Sequence, residues 1–145
     1  MTQLLDGSGL YQILNPQAGG AAMGLTGADT GGRGVAVGLV APDRNDGGQV
    51  WLVEVSDPTV DIFNQQTNTM LLVAGTQKDS AVVCGGGEIY GAMSWCLDGG
   101  SDAQSSVLVP VFTDDLAVAP EGLDYGLTLV DNTRDGTQLW HFVRL

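Results

Sequence analysis

Asp46 and Asp135 each stand three residues ahead of a glutamine, in Asp46-Gly47-Gly48-Gln49-Val50-Trp51 and Asp135-Gly136-Thr137-Gln138-Leu139-Trp140. A carboxylate and an amide held close together offer acceptors and donors to paired hydroxyl groups, the chemistry of a polyhydroxylated ligand. An aromatic face nearby would suit the apolar side of such a ligand. Groups able to make or break bonds are harder to find. The only histidine, His141, lies in an apolar run beside Trp140, so every Ser-His-Asp or Cys-His mechanism would have to pass through it. A lone histidine in that setting reads as structural. The neighbours Asp114 and Asp115 point apart on a strand or turn, nothing in the sequence raises either pKa, and they read as a solvated turn. The expectation is a protein that binds and does not catalyse.

Metal and phosphate chemistry find equally little support. No Cys/His set has zinc spacing, and Asp43-Arg44-Asn45-Asp46-Gly47 only partly imitates a calcium loop, so no metal is expected. Cys84-Gly85-Gly86-Gly87-Glu88-Ile89-Tyr90-Gly91 resembles a phosphate loop in glycine content alone. It has no Gly-Lys-Ser/Thr ending, no helix behind it, and a glutamate that would repel phosphate. No cofactor is implied.

The elements that must position Asp46 and Asp135 are strands. Trp51, Trp95 and Trp140 are the only tryptophans and lie 44 and 45 residues apart, which predicts three copies of one unit. The 22 glycines break every stretch that could carry a helical apolar period. Runs of Val, Leu, Ile and aromatic residues recur between turn-forming clusters at 10–14, 22–25, 35–40, 49–55, 60–63, 70–73, 81–84, 92–97, 107–112, 116–119, 127–130 and 138–145. They predict an all-β chain of twelve strands, four to each Trp period. Gln49, Trp51, Val53 and Val55 are expected on one face of a strand, and in the last strand Leu139, His141, Val143 and Leu145 oppose Trp140 and Phe142. The Asp-Gly pairs at Asp6, Asp46, Asp98 and Asp135 read as hairpin turns with glycine at positive φ.

Composition narrows the partners. A chain of 145 residues makes one domain, and 43% hydrophobic content fits a packed globule. A net charge of −12 with five Lys and Arg lacks the basic footprint for nucleic acid or anionic lipid. The start carries no charged and apolar leader pattern and no run reaches the length of a spanning helix, so a soluble, cytoplasmic protein is expected. Cys84 and Cys96 do not form a disulfide framework and read as two small buried hydrophobes, although a bridge between neighbouring strands stays open.

Three four-stranded copies with Gln-x-Trp on the fourth strand of two of them resemble the β-trefoil of fungal ricin-B-like lectins, over the whole chain as one domain, 1–145, with pseudo-repeats 1–56, 57–101 and 102–145. Gly9-Leu10-Tyr11-Gln12-Ile13, the Gly19-Gly20 loop and Gln49-Val50-Trp51 are also similar to the mycocypin protease inhibitors, and the lectin-like light subunit of mushroom tyrosinase is a further trefoil of this kind. The lectin resemblance implies that Gln49 and Gln138 support their turns, that the tryptophans pack in the core, and that Asp46, Gln49, Asp135 and Gln138 form carbohydrate-binding sites for a glycan or glycoprotein. The family's galactose-type aspartate is missing, because Met23-Gly24-Leu25-Thr26 and Leu71-Leu72-Val73 stand in its place. A non-galactose specificity follows. The inhibitor resemblance implies contact through Gly19 and Gly20 with papain-like proteases and through Asn64 or Asn68 with an asparagine-specific one. The third implies a non-catalytic subunit attached to an enzyme.

Overall fold

The computed structural model describes residues 7–27, 34–56, 58–85, 93–99, 105–121 and 126–145. Twelve strands run through them: β1 (Gly9–Asn15), β2 (Ala21–Leu25), β3 (Val35–Val40), β4 (Trp51–Ser56), β5 (Thr59–Asn64) and β6 (Met70–Val73). The second half continues with β7 (Val82–Gly85), β8 (Trp95–Gly99), β9 (Ser105–Pro110), β10 (Leu116–Glu121), β11 (Gly126–Asp131) and β12 (Leu139–Arg144). Every expected strand is present. Between them, the described residues hold only single 3-10 turns, at Pro16–Ala18, Gly47–Gln49 and Gly136–Gln138.

The pairing follows a threefold rule. In each copy the first and fourth strands pair antiparallel, β1 with β4, β5 with β8 and β9 with β12. The fourth strand then pairs with the first strand of the next copy, β4 with β5, β8 with β9 and β12 with β1. These six pairings close a ring, so the barrel presents no free edge for pairing with another chain. The second and third strands form the hairpins β2–β3, β6–β7 and β10–β11. The hairpins meet through β3–β7, β11–β3 and an Ala81↔Thr128 bridge, which caps one end of the barrel.

The tryptophans explain the period. Trp51, Trp95 and Trp140 are wholly buried near the start of β4, β8 and β12. A buried indole needs an acceptor for its N–H. Each finds one on the second strand of its own copy: Trp51 Nε1 donates to Met23 O at 2.9 Å, Trp95 Nε1 to Leu71 O at 3.0 Å and Trp140 Nε1 to Val118 O at 3.0 Å. One side chain per copy thus fills the centre and ties hairpin to barrel. Around them pack Ile13, Met23, Val53, Ile62, Leu71, Leu108, Leu127 and Leu129.

Several local expectations are corrected. Gln49 and Gln138 do not open strands; each closes a 3-10 turn ahead of the Trp-bearing strand. Asp46 and Asp135 do not begin positive-φ hairpins either. They are extended residues, φ −90° and −74°, that cap those turns. Asp98-Gly99 lies in β8, paired with Val107 and Ser106 of β9, and Gly7, at φ 84°, is the member of these pairs with the expected left-handed backbone. β9 stops at Pro110, leaving Val111 and Phe112 in an exposed turn. Asp6 and residues 86–92 lie outside the described residues.

Both cysteines are free. Burial on β7 pushes the Cys84 thiol up to about 12, and partial burial followed by the Asp98 charge raises that of Cys96. Both shifts disfavour the thiolate, the form that attacks disulfides and electrophiles.

Candidate functional site

The loops that carry Asp46 and Asp135 are built on one plan. Gln49 is buried, and its amide straps the loop after β3: Nε2 donates to Ala41 O at 2.7 Å and Oε1 accepts from Asp43 N at 2.8 Å. Gln138 does the same after β11, donating to Asp131 O at 2.7 Å and accepting from Thr133 N at 3.0 Å and Arg134 N at 2.9 Å. Further bonds run from Gln12 Nε2 to Gln49 Oε1 at 3.3 Å and from Gln138 Nε2 to Thr133 Oγ1 at 3.1 Å. The two amides therefore spend their hydrogen bonds inside the protein. Their bonding fixes the backbone of the two loops.

A second buried amide completes each loop. Asn64, the last residue of β5, is fully buried and donates from Nδ2 to Gly48 O at 3.0 Å, the carbonyl just before Gln49. Asn15, the last residue of β1, is fully buried and donates to Thr137 O at 3.0 Å, just before Gln138. Their Oδ1 atoms hold the turns that follow, through Ala18 N and through Gln66 N and Thr67 N. The lock joins each loop to the next copy around the barrel. In copy two Met93 stands two residues before its Trp, and β9 ends in Pro110, so Gln and Asn are lost together. The spacing of Asn15 and Asn64, each before a turn cluster, was the available signal.

Asp46 and Asp135 themselves are exposed caps. Asp46 Oδ1 accepts from Gly48 N at 2.9 Å and Oδ2 from Gln49 Nε2 at 3.3 Å. Asp135 Oδ1 accepts from Thr137 N at 2.8 Å and from the Thr137 hydroxyl, and Oδ2 accepts from Thr133 Oγ1 at 2.9 Å. The bonds from Thr137, then Thr133, hold the Asp135 carboxyl below the ordinary carboxylate range. A depressed pKa means that the charge persists into mild acid and that its small contribution to stability fades only as pH falls through the lowered value.

An open cleft of about 500 Å³ lies against the copy-three loop. Asp131, Thr133, Asp135, Thr137 and Gln138 form one wall, and Ala119, Pro120 and Val130 supply apolar surface from β10 and β11. The remaining wall comes from copy two, through Lys78 and Asp79 in the loop between β6 and β7. That loop is fastened to β11 by Asp79 N to Leu129 O at 2.8 Å, Leu129 N to Ser80 O at 3.0 Å, and an exposed Lys78–Asp131 ion pair at 3.2 Å. Asp79 takes a left-handed φ of 71°, a conformation that aspartate tolerates better than most side chains. Beside copy one the depression is apolar, lined by Ala18, Ala21, Leu39, Val40 and Ala41, and Asp46 is not among its walls. The repeated caps thus have different surroundings.

The other sequence candidates separate. Gly19 and Gly20 have φ values of 72° and 82° and lie at the end of a tight turn, with open space where a Cβ would sit. Asn68 also has a left-handed φ, 56°. Asn64 is buried and committed to its turn, which removes its side chain from contact with another protein in this arrangement. Counted from Asp43, glycine falls at the sixth place in Gly48 and glutamate at the twelfth in Glu54, a fuller calcium-loop spacing than the first five residues suggest. Glu54 is placed in mid-β4, and no group of three His, Cys, Asp or Glu suited to a metal assembles among the described residues.

No protein-family model matches the sequence, and no curated protein matches it at the sequence level. Solved structures do match. A ricin B-like lectin from Macrolepiota procera, in complex with lactose, superposes with a TM-score of 0.80 at 16% identity, covering 99% of this chain and 100% of its own. The Rhizoctonia solani agglutinin gives 0.81 at 14% identity, with 99% and 100% covered. ThreeFoil, a designed 3-fold symmetric protein, gives 0.75 at 18% identity over 94% of this chain and 99% of its own. Likeness at these identities rests on architecture, and the chain is accordingly a β-trefoil with the fold of the ricin B-like lectins.

Proposed function

We propose that this protein is a non-catalytic carbohydrate-binding protein of the ricin-B-like kind, with a specificity other than the galactose type. The observation that carries the reading is Asp135: an exposed carboxylate held charged by its threonine neighbours at the mouth of a cleft with polar and apolar walls. Carboxylate acceptors beside a small apolar surface suit a ring with hydroxyls on its edge and C–H bonds on its face. Glycans and glycoproteins are the corresponding partners. The non-galactose part is supported at copy one, where a Cβ on Gly24 would lie 2.8 Å from Val40 Cγ2 and 3.4 Å from Gly48 O. A side chain at that position would have to displace Val40.

A glycan array with labelled protein tests the reading, and selective binding to one class of terminal sugar is the expected result. Asp135→Ala should then weaken binding by about tenfold or more, because a charged acceptor is lost while the fold stays intact. If copy one also holds a sugar, Asp46→Ala should halve the stoichiometry in a titration. Full binding by both variants would sink the placement at the caps.

Protease inhibition through the Gly19-Gly20 turn is the second reading. The open space around both glycines favours it. A bulky residue at position 20 should weaken papain inhibition if that turn enters the protease. Attachment to an enzyme as an accessory subunit is a third reading, for which Val111 and Phe112, 50% and 44% exposed, offer the surface.

A further inference from the structure

Asp135 is held by a residue that is itself held. Thr137, two positions on, binds its Oδ1 with the backbone N–H at 2.8 Å and with the side-chain hydroxyl. The carbonyl of Thr137 is fastened as well, accepting from Asn15 Nδ2 at 3.0 Å. Asn15 is fully buried, and its amide has a fixed orientation because Oδ1 caps the Pro16–Ala18 turn, accepting from Ala18 N at 3.1 Å. Its backbone carbonyl is bonded too, by Gly20 N at 3.0 Å. The same turn lies against the glycine beside the carboxylate, with Gln17 Oε1 2.6 Å from the point where a Cβ on Gly136 would sit.

The copies differ in this grip. In copy one Asn64 donates to Gly48 O at 3.0 Å and Gly48 N binds Asp46 Oδ1 at 2.9 Å, but a glycine has no hydroxyl to add. Copy two ends the corresponding strand in Pro110, which has no side-chain amide. Among the described residues, only copy three has a carboxylate bound by both the N–H and the hydroxyl of a residue that a buried amide clamps.

Resting on the reading of Asp135 as the glycan acceptor, we propose that Asn15 is its positioning residue, acting through Thr137 from 122 residues away. A buried amide committed on both sides leaves Thr137 little freedom, so the carboxylate keeps one orientation before a ligand arrives and less order has to be imposed on binding. Without that amide, Thr137 O turns to water for a partner, and the N–H and hydroxyl of the same residue leave Asp135 Oδ1. Asn15 itself touches no ligand, since its amide is spent inside the protein.

The test is the titration of the Asp135 carboxyl, followed by NMR in the ligand-free protein, in Asn15→Ser and Asn64→Ser. Serine still caps a turn but is too short to reach the carbonyl across the barrel, so each variant loses the bond in question and keeps its turn. Asn15→Ser should raise the Asp135 pKa toward the ordinary carboxylate range, because the bonds from Thr137 to the charged form are what lower it most. Asn64→Ser, the same lesion in copy one, should leave it unmoved. Lys78, Asp79 and Asp131 line the same cleft and Arg134 is paired with Asp98; both variants keep all of these charges, so their influence cancels in the comparison. Thr137→Val should shift the titration far less in the Asn15→Ser background than in the parent, since the two residues act in series. On the glycan array Asn15→Ser should weaken binding about fivefold, the worth of one hydrogen bond. An Asp135 titration untouched by Asn15→Ser, or moved equally by Asn64→Ser, would overturn the proposal. Equal shifts from Thr137→Val in both backgrounds would overturn the route through Thr137. A blank array beside a shifted titration would remove the glycan and uphold the positioning.

Discussion

Trp140→Ala is expected to cost about 3–5 kcal/mol of stability, read as a shift of the urea midpoint followed by circular dichroism. Domains of this size are stable by about 5–15 kcal/mol in total, so the variant would sit near the edge of folding. Two losses combine. The cavity left by an indole at the barrel centre cannot collapse easily, because the six strands around it are closed into a ring. In addition, Val118 O loses its donor in a dry interior. Trp140→Phe separates these contributions, since it keeps most of the packing but orphans the carbonyl at about 1–3 kcal/mol. The same experiment at Trp51 and Trp95 should give similar values, as each indole bonds a carbonyl of the second strand of its copy. A cost under about 1 kcal/mol at any one of them would show that its copy is held by something else.

Gln138→Ala is the second large effect, and it couples stability to the site. The substitution removes the acceptor for Thr133 N and Arg134 N and the donor for Asp131 O at once. Where water reaches those groups the loss is modest; where it does not, each orphan costs about 1–3 kcal/mol. A net loss of about 2–3 kcal/mol is expected, with glycan affinity falling further because Asp135 loses its fixed position. Gln138→Glu supplies the control: it keeps an acceptor oxygen for Thr133 N and Arg134 N but loses the donor to Asp131 O. Binding that survives Gln138→Ala unchanged would detach the strap from the site.

The barrel was legible in the sequence because its signals are repeated and simple. Each Trp period carries four short apolar runs, and a run of β-branched residues between glycines has few other fates. The loops were not legible in the same way. Asp-Gly is as good a hairpin start as it is a 3-10 cap, and the choice at Asp46 and Asp135 is made by Gln49 and Gln138 folding back beneath the turn, and by Asn64 and Asn15 arriving from the next copy. Asn64 looked like an exposed turn residue because polar residues at strand ends usually are. Its burial depends on a carbonyl sixteen residues away. The cleft was invisible for a related reason: Lys78 and Asp79 belong to a different copy from Asp135, so no comparison of equivalent positions would group them.

The ring also has a consequence for the order in which the chain matures. β1 is made long before β12, yet they pair along Tyr11↔Arg144 to Leu14↔His141, and Asn15 bonds a carbonyl 122 residues downstream. During synthesis the first strand therefore waits with an unpaired side until β12 has emerged from the ribosome. Long-range closure of this kind makes for slow folding, and the waiting edge is the stage most exposed to wrong pairing with another nascent chain.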